Sequence, residues 1–166
     1  MPRHFPCCSL INYSHPSESG DVVKSKEDII ITLSKFFKEK AEDYAIDMVF
    51  LYGSWSRGIP NENSDVDIAI SFLQKLFLND DKVFEIITDI SLKLSVEFNK
   101  EVNIIPLYED FRKPMLYYNA IVLGTPIYVG NFERYVDLNN QAIVQMEDFN
   151  IFGKKWQLEI SRKNLE

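Results

Sequence analysis

The stretch that most constrains this chain is Phe50 to Ser71, Phe-Leu-Tyr-Gly-Ser-Trp-Ser-Arg-Gly-Ile-Pro-Asn-Glu-Asn-Ser-Asp-Val-Asp-Ile-Ala-Ile-Ser. The apolar run Met48 to Tyr52, stopped by Gly53, predicts a short buried strand rather than a helix. From Asp65 the pattern alternates. Asp65, Asp67, Ala69 and Ser71 fall on one face of a strand, and Val66, Ile68, Ile70 and Phe72 on the other. Two carboxylates therefore project on one side, roughly 6–7 Å apart at their Cα atoms. Their oxygens can converge on a hard divalent cation such as Mg²⁺, which completes its shell with waters and substrate phosphates.

The Gly53-Ser54 turn supplies what the carboxylates lack. Glycine tolerates close backbone approach and unusual φ. A helix starting at Ser54 or Trp55 would aim free N–H groups and its positive end at an anion. Ser54 adds a hydroxyl, and Arg57, about one turn on, adds a guanidinium suited to phosphate oxygens. Gly58, Pro60, Asn61, Asn63 and Ser64 make the connection to the next strand rich in turn formers.

Ten residues separate Ser54 from Asp65, and Val66 alone separates Asp65 from Asp67. Gly-Ser, ten residues, Asp-x-Asp, flanked by these two strands, resembles the signature of the DNA polymerase β-like nucleotidyltransferase superfamily. With Arg57 and Gly58 inside the loop it is similar to the compact minimal nucleotidyltransferases. The string Gly124-Thr125-Pro126-Ile127-Tyr128-Val129, followed by a helix ending near Glu147-Asp148-Phe149, resembles the MntA-type antitoxins of HEPN/MNT toxin–antitoxin pairs. The resemblance covers about residues 25–149, specifically at Gly53 to Asp67 and loosely elsewhere.

That resemblance implies a polymerase β-like topology and transfer of AMP from ATP to a hydroxyl, with two Mg²⁺ ions and ATP as substrate. Gly53 and Ser54 would hold the β and γ phosphates, Arg57 would steady the pyrophosphate, and Asp65 and Asp67 would bind metal. The acceptor it implies is a tyrosine of a HEPN-family toxin. Adenine is implied in the same way, since no motif reads the base. The family's third carboxylate corresponds to Asn103, in Val102-Asn103-Ile104-Ile105. An amide oxygen can coordinate a metal but carries no charge and is no base. Glu101, two residues earlier on the same strand face, is the candidate substitute.

Charge narrows the partners. A formal net charge of −7 argues against a general nucleic-acid binder, which would need a basic face. It leaves a nucleotide, a small molecule or a protein. No apolar stretch approaches a membrane span. Cys7 and Cys8 are adjacent and cannot staple distant segments, so a reducing, cytoplasmic compartment is expected. His4 and His15 are the only histidines, which excludes a histidine mechanism in the rest of the chain.

The expected organisation is a poorly structured segment over residues 1–24, a nucleotidyltransferase domain over 25–155 and a tail over 156–166. Ser25 and Asp28 read as a capping box for a helix with the stripe Ile29, Ile30, Leu33, Phe36, Phe37 and Ala41. Asn79 to Asp81 would cap a second helix running to Phe98. A third is predicted over Tyr108–Leu123, with Phe111, Met115, Tyr118 and Val122 on its inner side, and a last over Glu133 to about Lys155. The fold class expected is α/β, a small mixed sheet of about residues 47–52, 65–72, 101–107 and 127–129 with helices mainly on one face.

Two alternatives stand beside the adenylyl-transfer reading. With Asn103 in place of an acid, the chain could be a weakened relative that neutralises its partner by binding. An antibiotic-modifying nucleotidyltransferase is the other, disfavoured because no second domain for a large acceptor is evident. The pattern leaves the oligomeric state open.

Overall fold

The computed structural model describes residues 25–73 and 80–163. These form α1 (Lys26–Lys40), β1 (Ile46–Tyr52), α2 (Gly53–Arg57), β2 (Val66–Phe72) and α3 (Asp80–Phe98), then β3 (Val102–Pro106), α4 (Pro114–Ile121), β4 (Thr125–Val129) and α5 (Phe132–Lys163). The expectations for residues 1–24 and for Asn79 lie outside the described residues. No described helix is long and apolar enough to cross a membrane.

The sheet has the strand order β3-β2-β1-β4. β1 runs antiparallel to both β2 and β4, while β2 and β3 are parallel. A parallel pair needs a crossover, and α3 supplies it. The registers set residues of three strands side by side: Tyr52 lies opposite Asp67, and Asp67 opposite Asn103.

The central strands β1 and β2 are buried almost throughout, because the sheet is covered on both faces. Ile29, Leu33 and Phe37 of α1 and Val83, Ile90, Leu94 and Phe98 of α3 pack on Val49, Leu51, Val66, Ile68 and Ile70. Each such side chain stabilises the fold by roughly 1.5–3 kcal/mol. Ser25 starts α1 with the expected capping box, in which the Asp28 N–H donates to Ser25 Oγ at 3.2 Å and the Ser25 N–H to Asp28 Oδ2 at 3.1 Å. The alternate residues Met48, Phe50 and Ala69 face the other way, onto Tyr117, Ala120 and Ile121 of α4 and Ala142 of α5. The mixed α/β sheet is as expected, and its helices divide between the two faces because this second row of apolar side chains also needs cover.

Two helices differ from the expectation. α4 starts at Pro114 rather than Tyr108, since proline fits only the first turn and Phe111 turns the chain at φ 47. Its buried face is therefore Tyr117, Ala120 and Ile121, while Met115 is exposed. α5 continues to Lys163, past the expected end near Lys155, because no proline or capping glycine stops it; Gly153 is carried within the helix.

One polar clamp ties α5 to β1. Asp47 is buried, and its Oδ2 faces Arg134 Nη1 at 3.2 Å without forming an aligned hydrogen bond. Arg134 Nη2 also lies 3.7 Å from Glu109 Oε1. Burial raises the Asp47 pKa above the ordinary 3.8, and the Arg134 charge opposes that rise. Arg134→Ala is expected to destabilise the fold by about 2–3 kcal/mol at neutral pH, less than the about 3–5 kcal/mol of a fully buried pair because Arg134 is half-exposed. The sign follows from linkage. Without Arg134 the folded pKa rises further, so the loss is absent below pH 3.8 and grows as pH rises through the folded value. Urea unfolding of both proteins across pH measures it.

Candidate active site

β1 delivers the chain to Tyr52, and Gly53 turns it at φ +73 straight into α2. Tyr52, the N-cap, makes no side-chain cap bond, so the first N–H groups of α2 have no cap from it. α2 ends after about one turn at Gly58, also at φ +73. Trp55 then anchors the following loop. It is buried in the α1/α3 core, and its Nε1–H donates to Ser64 O at 3.2 Å. Lys100 Nζ donates to Glu62 O at 2.8 Å and stands 5.6 Å above the Trp55 ring. Within the loop the Asn63 N–H donates to Asn61 Oδ1 at 3.0 Å and the Asn61 N–H to Ser64 Oγ at 2.8 Å.

This folding brings turn and acids to one place. A cleft of about 560 Å³ is lined by Ser54, the loop residues Asn61 to Ser64, Asp65 and Asp67. Gly53 lies close against Asp67: a Cβ there would lie 2.2 Å from Asp67 Oδ2. Asp65 immediately precedes β2 and Asp67 lies within it. The Asp67 pKa is raised, first by burial and also by the Asp65 charge, while the Asn103 amide opposes the rise. Asn103 Nδ2 donates to Asp65 Oδ2 at 3.3 Å, so its amide lies at the acid pair. Tyr52, opposite Asp67, has its phenol pushed up to about 12 by burial and by the Asp67 charge, and stays protonated at neutral pH.

Two of the sequence candidates stand apart from this group. Glu101 is exposed just before β3, its carbonyl accepting from the Val66 N–H at 2.9 Å. Among the described residues no three acid, cysteine or histidine side chains gather, so Glu101 does not join Asp65 and Asp67. Arg57 Nε donates back to Gly53 O at 3.2 Å, and Arg57 lines a second cleft behind the turn together with Tyr52. Conversely, Asn61, Asn63 and Ser64 read only as turn formers, yet with Glu62 they form a wall of the acid cleft. Their place inside the ten-residue connection was the one available signal. Chemically, an open cleft with two carboxylates, a serine hydroxyl and loop amides suits a hard cation and its phosphate ligands.

Residues 21–133 match the family described as polymerase beta, nucleotidyltransferase. A Methanocaldococcus jannaschii protein named "Putative protein adenylyltransferase" is 35% identical over 52 residues, which is 31% of this chain and 60% of that relative. Among solved structures, a chain of a toxin–antitoxin complex with AMP-PNP superposes with a TM-score of 0.55 at 18% identity, covering 78% of this chain and 96% of that one. A chain from the tri-AMPylated Shewanella oneidensis HEPN toxin in complex with its MNT antitoxin gives 0.52 at 15% identity, covering 80% and 97%. At such identities the likeness is one of fold. With more than half of its length matched, the chain belongs to the polymerase beta nucleotidyltransferase family.

Proposed function

We propose that this nucleotidyltransferase moves AMP from Mg²⁺-ATP to a tyrosine hydroxyl of a HEPN-family toxin and so acts as its antitoxin. The observation that carries the reading is the contact between Gly53 and Asp67, which puts phosphate turn and acids in a single cleft. The adenylyltransferase name of the archaeal relative and the toxin–antitoxin neighbours support the acceptor class.

The donor set fits magnesium. Burial first, and then the neighbouring Asp65 charge, raise the Asp67 pKa, so a cation between the two carboxylates would relieve both costs. Asn103 would turn its amide oxygen inward as a neutral third ligand. Bound Mg²⁺ supplies neutralisation of the triphosphate charge. The chain's own residues do the remainder. Ser54 Oγ and the N–H groups of α2 hold the β and γ phosphates, and this orients the Pα–O–Pβ linkage. The acceptor oxygen bonds to Pα, the Pα–O bond to the β phosphate breaks, and pyrophosphate leaves. Asn103 cannot take the acceptor proton, so it passes to Asp65 or to water.

Incubation of the HEPN partner with this protein, ATP and Mg²⁺ should add one or more AMP masses to a tyrosine, read by mass spectrometry. Protection of the partner with no mass gain would replace this reading with neutralisation by contact, which Asn103 specifically favours. Asn103→Asp supplies the missing negative charge, and is expected to raise the transfer rate by about tenfold or more. A stopped time course of labelled AMP incorporation measures it, and a rate that falls would mean the amide itself is required.

A further inference from the structure

The acid cleft leaves the nucleoside half of the nucleotide unaccounted for, and a second cleft adjoins it. It holds about 190 Å³, is more enclosed than the first, and lies between α2 and α4. Tyr52 and Gly53 belong to its wall, and the same two residues border Asp67, by strand pairing and by direct approach. The two clefts therefore lie on either side of the close approach of Gly53 to Asp67. This volume lies below the about 300–1,000 Å³ of a site for a whole ligand. It suits one planar ring system.

Its lining has the composition of a base pocket. Leu116 and Leu123 are apolar walls, and Tyr52 contributes an aromatic side chain. Arg57 stands at the Gly53 edge, held there by its bond to Gly53 O. Asn119, on α4, is the polar group left over: it is exposed, and its side chain makes no hydrogen bond among the described residues. A primary amide offers a donor and an acceptor side by side, the pattern that pairs in two places with an adenine edge.

The geometry points to Asn119 as the residue that selects adenine, with the base seated between α2 and α4 and the triphosphate in the acid cleft. This rests on the nucleotidyl-transfer reading and adds to it the base recognition that no sequence motif supplied. Asn119 is a specificity residue and takes no part in the chemistry.

The test compares full-length wild type with Asn119→Ala and Asn119→Asp, using Mg²⁺-ATP and Mg²⁺-GTP. Both binding, by titration calorimetry, and AMP or GMP transfer to the partner are measured. Asn119→Ala should weaken ATP about tenfold and GTP little, narrowing the ATP/GTP ratio in Kd and in KM with kcat little changed. Asn119→Asp keeps an acceptor only and should weaken ATP at least as much. Inorganic tripolyphosphate with Mg²⁺ should compete equally well against all three proteins, because it occupies only the acid cleft. An unchanged ATP/GTP ratio overturns the inference, as does a change confined to the acceptor's KM. Failure of the transfer reading is distinguishable: if ATP binds and no AMP is transferred, the calorimetric ratio still decides the role of Asn119. If neither nucleotide binds, both readings fall.

Discussion

The variant Asp65→Asn with Asp67→Asn is expected to lose at least about 10³-fold in AMP transfer while keeping its fold. Both side chains lie in the cleft with Ser54, and removing both charges leaves only neutral oxygens for the cation. Structural damage would not account for the loss. The Asp67 pKa is raised in the folded state, so its charged form opposes folding above the ordinary 3.8. The neutral variant should therefore unfold at an equal or higher temperature than wild type at pH 7 without Mg²⁺. Any gain from Asp67 should vanish below pH 3.8, where its carboxyl is protonated in both states. Calorimetric unfolding across pH, with the transfer assay in parallel, separates the two effects. A variant that is inactive and also markedly less stable at pH 7 would place the acids in the scaffold rather than in the chemistry.

The second large effect is expected from Gly53→Ala. Gly53 and Gly58 share φ +73, so alanine at either meets the same backbone penalty of about 1–2 kcal/mol. Their surroundings differ. At Gly58 an added Cβ meets nothing within 4 Å, whereas at Gly53 it would lie 2.2 Å from Asp67 Oδ2. Either Asp67 moves or the turn does, and a misplacement of about 1 Å at a reacting centre can cost about 10²-fold. Gly58→Ala should thus lose stability with transfer nearly intact, and Gly53→Ala should lose both. Equal activities for the two variants would show that the contact between turn and acid has no role in the chemistry. Thermal unfolding and kcat/KM, measured on both proteins, decide it.

Much of the architecture was legible because its determinants are local. Ser25 and Asp28 announce a helix start three residues apart, and the alternation after Asp65 assigns every side chain of β2 to a face. The connection between Ser54 and Asp65 carries its own turn chemistry, which returns the chain to the turn it left. Other features were not legible, for a shared reason. The inner face of α4 depends on where Pro114 lets the helix begin and on which strands it meets. The burial of Asp47 beside Arg134 joins residues far apart in the chain, and no local pattern pairs them.

The site divides in the same way. Residue type and spacing alone pointed to Ser54, Asp65 and Asp67 as one hairpin-like unit, and the family resemblance set Asn103 where an acid was expected. Tertiary packing decided the remainder. Parallel pairing of β3 with β2 brings Asn103 to Asp65, and leaves Glu101 outside the strand and exposed. The bond from Arg57 to Gly53 O turns that side chain toward α4, into a cleft that exists only because α4 packs on the β1 and β2 face. Strand alternation and turn propensity act over a few residues. The position of a long side chain is set by whatever the folded chain brings beside it.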